Sequence, residues 1–296
     1  MTLTDLNEMF STDEQCRTLL VKLRWPFGSE CLRCKSRNVL TISTQKKFEC
    51  AECHYQFSAT AGTIFHDSHL PLETWFLAVL LLCEAKKGMS AHQVMRTLRI
   101  GSYKTAWYLC HRIRHAMKEA ARTMLDGTVE IDETWVGGRK RREPGDSGKR
   151  NKEIVIGIRQ RGGDLRFFHA SDVQSGTLYK YIHDNVSEDV DVIVTDEFSS
   201  YPGAMGTSFK DKHHTVNHSA QEYVRGEVHT NTVESAFSLL KRGIIGSWHK
   251  ISAKHLPAYL DEMTFRFNRR KNPNLFVDTL RHMVTADPLT FEKLTA

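Results

Sequence analysis

Residues 129–138 read VEIDETWVGG. Valine, isoleucine, threonine and tryptophan dominate the run, and two glycines close it, which is the composition of a strand and its exit turn. Three acids crowd into it at Glu130, Asp132 and Glu133, and alternation alone does not say which of them faces a site. Working outward, residues 154–158, 165–168 and 190–195 are also β-like, while 175–185, 230–242 and 255–270 carry helical apolar spacing. The sequence therefore predicts an α/β domain that begins at the turn Asp126-Gly127. Its expected span is 126–272, with 273–296 as a tail.

Two further acids stand at comparable places. Asp196 closes the apolar run of DVIVTDEF, and Glu234 lies near the start of a helix in HTNTVESAFSLLKRG. A carboxylate at the end of a buried strand is well placed for chemistry, because strand ends open into clefts. Each acid also has an ordinary structural reading. Asp132 and Asp196 fit solvent-facing strand ends, and Glu234 fits the third position of a capping box begun by Asn231.

Upstream the texture differs. Cys31 and Cys34 form one C-x-x-C and Cys50 with Cys53 another, with 15 residues between the pairs. That spacing suits four thiolates around one tetrahedral zinc ion, which would supply folding energy that so short a segment lacks. Residues 50–54 also spell the haem-attachment pattern C-x-x-C-H, but that reading leaves the first pair idle. Cys16, Cys83 and Cys110 have no such partners and read as buried apolar residues. A first region of 1–68 is thus a zinc ribbon with a short helix over 13–23.

Residues 69–125 form a helical region. A nearly all-apolar helix is expected over 72–87 and two tightly joined helices over 90–118. Ser90 caps the first, Gly101 breaks it and Ser102 caps the second. Ala106, Leu109, Ile113 and Met117 make one stripe of the second helix. Lys104, Arg112, Arg114 and Lys118 make another, so the pair fits a helix-turn-helix or an ordinary hairpin with a solvated basic face.

The 296 residues carry 41 Lys/Arg against 35 Asp/Glu, a net charge of +6. Residues 139–152 hold seven basic and two acidic residues, so one loop, including Arg139, Lys140, Arg141 and Arg142, accounts for most of the imbalance. This favours an anionic partner. No N-terminal signal peptide is visible, and the longest apolar run, 75–83, is too short to span a bilayer. A soluble cytoplasmic protein is expected, in a compartment where paired cysteines bind metal rather than each other.

Taken together, the motifs C-x-x-C…C-x-x-CHYQFS, VEIDETWVGG with its basic follow-on GRKRR, VTDEFSSY, HTNTVESAFSLLKRG and FRFNRR resemble the DDE transposases of bacterial insertion sequences. The resemblance is to the subgroup with an N-terminal zinc ribbon. It implies a ribonuclease-H-like mixed sheet flanked by helices, preceded by the ribbon and the helix-turn-helix-like segment. It also implies that Asp132, Asp196 and Glu234 hold two Mg²⁺ (or Mn²⁺) ions, which offset the mutual repulsion of clustered carboxylates. The activity implied is cleavage at the element's terminal repeats and transfer of the 3′-hydroxyl into target DNA, by a dimer or larger assembly. His229 and Asn231 would position phosphate, and Lys241 and Arg242 would contact the DNA backbone. Two other classes remain open on the sequence: a nuclease of the same fold that hydrolyses without joining, and a zinc-ribbon DNA-binding regulator without catalysis.

Overall fold

A computed structural model describes residues 2–119, 122–137, 152–216 and 229–296. The chain divides into two compact units, one of residues 1–118 with 270–296 and the other of 119–269.

In the first unit, helices α1 (Leu3–Met9) and α2 (Asp13–Arg24) each begin with a threonine capping box. The ribbon follows as strands β1 (Val39–Ile42), β2 (Lys47–Cys50) and β3 (Gln56–Phe57), paired antiparallel in that order. Helix α3 (Leu72–Glu84) is buried on most of its circumference, as its composition predicts. It stops short of 87 because a turn closes there on Gly88, at φ +79. Helices α4 (Ala91–Thr97) and α5 (Tyr103–Ala116) start where the serines place them. The Ser90 hydroxyl accepts from Gln93 N and the Ser102 hydroxyl from Thr105 N, each at 3.2 Å. Cys16, Cys83 and Cys110 are buried, as expected.

The second unit is built on strands β4 (Thr128–Val136), β5 (Glu153–Gln160) and β6 (Leu165–Ala170), which pair antiparallel. Helix α6 (Ser175–His183) leads to β7 (Val192–Asp196), which returns parallel to β4. The short helix α7 (Tyr201–Ala204) precedes β8 (His213–Val216), parallel to β7. Helices α8 (Asn231–Gly243) and α9 (Leu256–Asn268) complete the unit. Sheet order β6-β5-β4-β7-β8 makes β4 the central strand. This is the helix-flanked mixed sheet expected of a ribonuclease-H-like fold.

Strand alternation sends β4 into two cores. Val129 and Ile131 join Ile156, Ile158, Leu178, Ile182 and Tyr201 on one face. On the other, Val136, Val155 and Phe167 pack with Val233, Phe237 and Leu240 of α8 and with Leu260 of α9. Burial on both faces explains why β4 resists being read by simple alternation.

The last helices, α10 (Leu275–Thr285) and α11 (Phe291–Thr295), belong to the first unit. The sequence reading put a boundary near 126 and a tail after 272, whereas the units part after Lys118 and again after Arg269. Phe276, Leu280, Met283 and Val284 form an apolar stripe that packs α10 on α2 and α3, so 273–296 is core rather than tail.

Candidate active site and zinc centre

The register of the sheet brings two of the three singled-out acids together. Thr128 pairs with Val192 and Glu130 with Val194, an offset of 64 that carries Asp132 beside Asp196 two positions further on. Even-numbered residues of β4 share one face, so Glu130, Asp132 and Thr134 look toward α8. Asp132 pairs across β5 with Gly157, and a Cβ on that glycine would stand 2.7 Å from Phe237 and 2.9 Å from Val233 of α8. Only glycine admits so close a helix. Glu234 follows Val233 directly and receives the Thr230 hydroxyl at 2.8 Å.

The Asp132 carboxyl also feels the charges of the other two acids. The Asp132 carboxyl is pushed up to about 7, first by burial and then by the charges of Glu133, Asp196 and Glu234, against one stabilising bond from Glu133 N. The acids form an open group: among the described residues, only the four ribbon cysteines have ligand atoms all within 4.8 Å of one another.

The neighbours of Asp132 are otherwise engaged. Glu133 points to the opposite face, where the buried Tyr201 hydroxyl donates to it at 2.6 Å. Glu130 is wholly buried and accepts Arg161 Nε at 2.7 Å, Thr232 N at 2.9 Å, the Thr232 hydroxyl at 2.7 Å and Val233 N at 3.0 Å. Sequence reasoning singled out neither Arg161 nor Tyr201, and no local pattern marks them. For Glu130 the signal was its position, two residues from Asp132 on the same face. The capping-box reading of Glu234 is corrected: Thr230, not Asn231, stands at the helix N-cap, and Glu130 takes the first-turn N–H groups.

In the ribbon, Sγ atoms of Cys31 and Cys53 lie 3.6 Å apart, and those of Cys34 and Cys50 lie 3.4 Å apart. Zinc–sulfur bonds of about 2.3 Å imply tetrahedral edges of about 3.8 Å, so the quartet fits one ion. Lys35 and His54, each following the second cysteine of a pair, take φ of +63 and +52, which bends the chain around the knuckle. Arg33 N and Cys34 N donate to Cys31 Sγ. His54 stays outside the cluster on the surface, so the haem-attachment pattern is coincidental.

Two family models match: a transposase zinc-ribbon domain over residues 11–56 and an ISXO2-like transposase domain over 124–268. An uncharacterized protein in the transposable element ISH50 of Halobacterium salinarum is 30% identical over 277 residues, covering 87% of this chain and 91% of that one. The chain belongs to the ISXO2-like transposase family. The quartet is thus the structural zinc centre of a transposase ribbon. The crystal structure of the Mos1 strand transfer complex also matches, at 10% identity and TM-score 0.30 over 71% of this chain and 74% of that one, a likeness too slight to build on.

The remaining candidates of this transposase fall in different places. Lys104 is exposed, its ammonium 4.3 Å over the Phe291 ring. Arg112, read as part of a solvated basic face for DNA, is a correction: it is 3% exposed, lies over the rings of Trp75 and Tyr108, and donates to His66 O. Arg114 is likewise buried. Their long stems bring apolar area inward, which the helical wheel does not register. His229 Nδ1 stands 3.3 Å from Glu130. Asn231, Lys241 and Arg242 are exposed on α8. Arg139, Lys140, Arg141 and Arg142 lie outside the described residues. Among the described residues no helix is long and apolar enough to cross a membrane.

Proposed function

We propose that this transposase cleaves DNA at the ends of its insertion sequence and joins the freed 3′-hydroxyl to target DNA, using Asp132, Asp196 and Glu234 as ligands for Mg²⁺ or Mn²⁺. The observation that carries the reading is the sheet register that sets Asp132 beside Asp196 on the face toward α8, the helix of Glu234, where burial and the acidic neighbours push the Asp132 carboxyl up to about 7. Such a group is costly to ionise without a cation, and a donor set of oxygens alone selects hard divalent ions. A pair of ions bound there supplies charge neutralisation at the attacking and leaving oxygens of an in-line displacement.

The chain's own residues do the rest. Asp132, Asp196 and Glu234 would hold the ions. Lys241 lies seven residues beyond Glu234, about two turns or roughly 10 Å along the same helix face, so it meets the DNA backbone near the acids. Arg242 and Asn231 lie on the same helix and His229 just before it, with His229 and Asn231 positioning phosphate. Lys104 and the run Arg139–Arg142 add backbone contacts, and the ribbon with α4 and α5 reads the terminal repeats. Two ends held together require a dimer or larger assembly on DNA.

Incubating the full chain with its flanking DNA and Mg²⁺, then mapping the products, tests this. Joined products are expected, whereas hydrolysis alone points to a nuclease of the same fold and intact DNA to a binder. Asp132→Asn, Asp196→Asn and Glu234→Gln should each lower cleavage by roughly 10²–10³-fold or more while end binding persists. A variant that cleaves like the wild type removes that residue from the site.

A further inference from the structure

Helix α8 lacks a cap of its own. Thr230, at its N-cap, makes no side-chain bond to the first-turn N–H groups. A carboxylate from strand β4 takes them instead, with Thr232 N, Val233 N and the Thr232 hydroxyl all converging on Glu130 Oε2. The positive end of the helix dipole favours a negative group there. Glu130 Oε1 is held in turn by Arg161, whose Nη2 also donates to His229 O at 2.8 Å, just before the helix. Arg159, the register partner of Glu130 on the neighbouring strand, donates to Thr232 O. With both oxygens occupied and no exposed surface, Glu130 has no room to serve as a ligand itself.

The covalent positions make this arrangement consequential. Glu130 is two residues from Asp132 on the same strand face, and Val233 is one residue from Glu234. We propose that Glu130 is a positioning residue: by bolting the first turn of α8 to β4, it sets where Glu234 stands relative to Asp132. The proposal rests on the reading of those acids as ligands given above. It deepens that reading by assigning the spacing of two ligands to a third carboxylate that touches neither ion nor substrate. Outer-shell groups that orient ligands typically govern metal affinity by 10–100-fold.

The test is Mn²⁺ binding to the full-length protein, followed by electron paramagnetic resonance of free Mn²⁺, with zinc content and duplex affinity as controls. Glu130→Gln places an amide where N–H donors converge, and should weaken Mn²⁺ binding roughly 10–100-fold. Thr232→Val keeps the side-chain shape, removes one bond to Oε2, and should weaken it about two- to tenfold. Zinc content should stay at wild-type level in both. A merely structural Glu130 would lower the melting temperature while the folded protein bound Mn²⁺ as before, and unmoved affinity in both variants overturns the proposal. Should Glu130→Gln fail to fold, Thr232→Val decides alone. Asp132→Asn in the same titration separates the two claims. Mn²⁺ binding that survives it removes the reading of the acids, whereas binding lost there but unmoved in the other two removes only the positioning role.

Discussion

Cys31, Cys34, Cys50 and Cys53 fall within 23 residues of chain, while Asp132, Asp196 and Glu234 span 103. The first set closes on itself, with ligand atoms all within 4.8 Å, and the second stays more open. The contrast follows from what each set has to do. A ribbon with a core of little more than Phe57 and its aromatic neighbours needs the ion to hold it together, so its ligands come from adjacent knuckles and leave no open position. Asp132 and Asp196 sit on a sheet that already has a core on each face and Glu234 on a helix docked against it, so their spacing is set by strand register and helix docking. One site makes its fold, and the other is made by its fold.

The sharpest way to break that comparison is Cys50→Ser. Structural zinc is worth on the order of 10 kcal/mol to such modules, so the variant should lose its metal and the pairing of β1, β2 and β3. A full zinc complement by elemental analysis would contradict it. Gly157→Ala probes the other side. Its Cβ would push on Phe237 and Val233, and overpacking of this kind costs about 1–3 kcal/mol. A fall in melting temperature of roughly 2–10 °C is expected, with zinc retained and cleavage reduced as α8 shifts with Glu234. Unchanged stability would mean that the helix seat is loose.

A smaller effect sharpens the electrostatic half. With Asp132 at about 7 in the fold against 3.8 for an ordinary aspartate, the folded state holds an extra proton between those values. Stability without divalent ions therefore falls as pH rises through that window, and the loss is complete above about 7. Asp132→Asn should raise the metal-free melting temperature, by more at pH 8 than at pH 5. The Mg²⁺ concentration for half-maximal cleavage should rise severalfold from pH 8 to pH 6, because protons compete for the ligand. A flat profile in both measurements would show that Asp132 is ionised throughout.

The parts of this molecule legible in its sequence are those with a short period or a short spacing. The knuckles, the caps Ser90 and Ser102, and strands β4 to β7 came through within a few residues. Strand β8 did not, because four residues reading HHTV carry almost no apolar signal and owe their strand to β7 beside them. Arg112 was misread because a charged side chain on a helical wheel looks solvent-facing, whereas two aromatic rings and a carbonyl receive it.

By itself the sequence determined the zinc quartet and the α/β character of residues 128–268, since local periodicity and ligand chemistry suffice for these, whereas Asp132, Asp196 and Glu234 are singled out by the family resemblance of their motifs. Only the tertiary structure decided which of Glu130, Asp132 and Glu133 faces the open group. It also decided that residues 275–295 return to the first unit, and that a buried carboxylate caps α8. Those outcomes depend on pairings between segments far apart in the chain, whose register and docking no short window encodes.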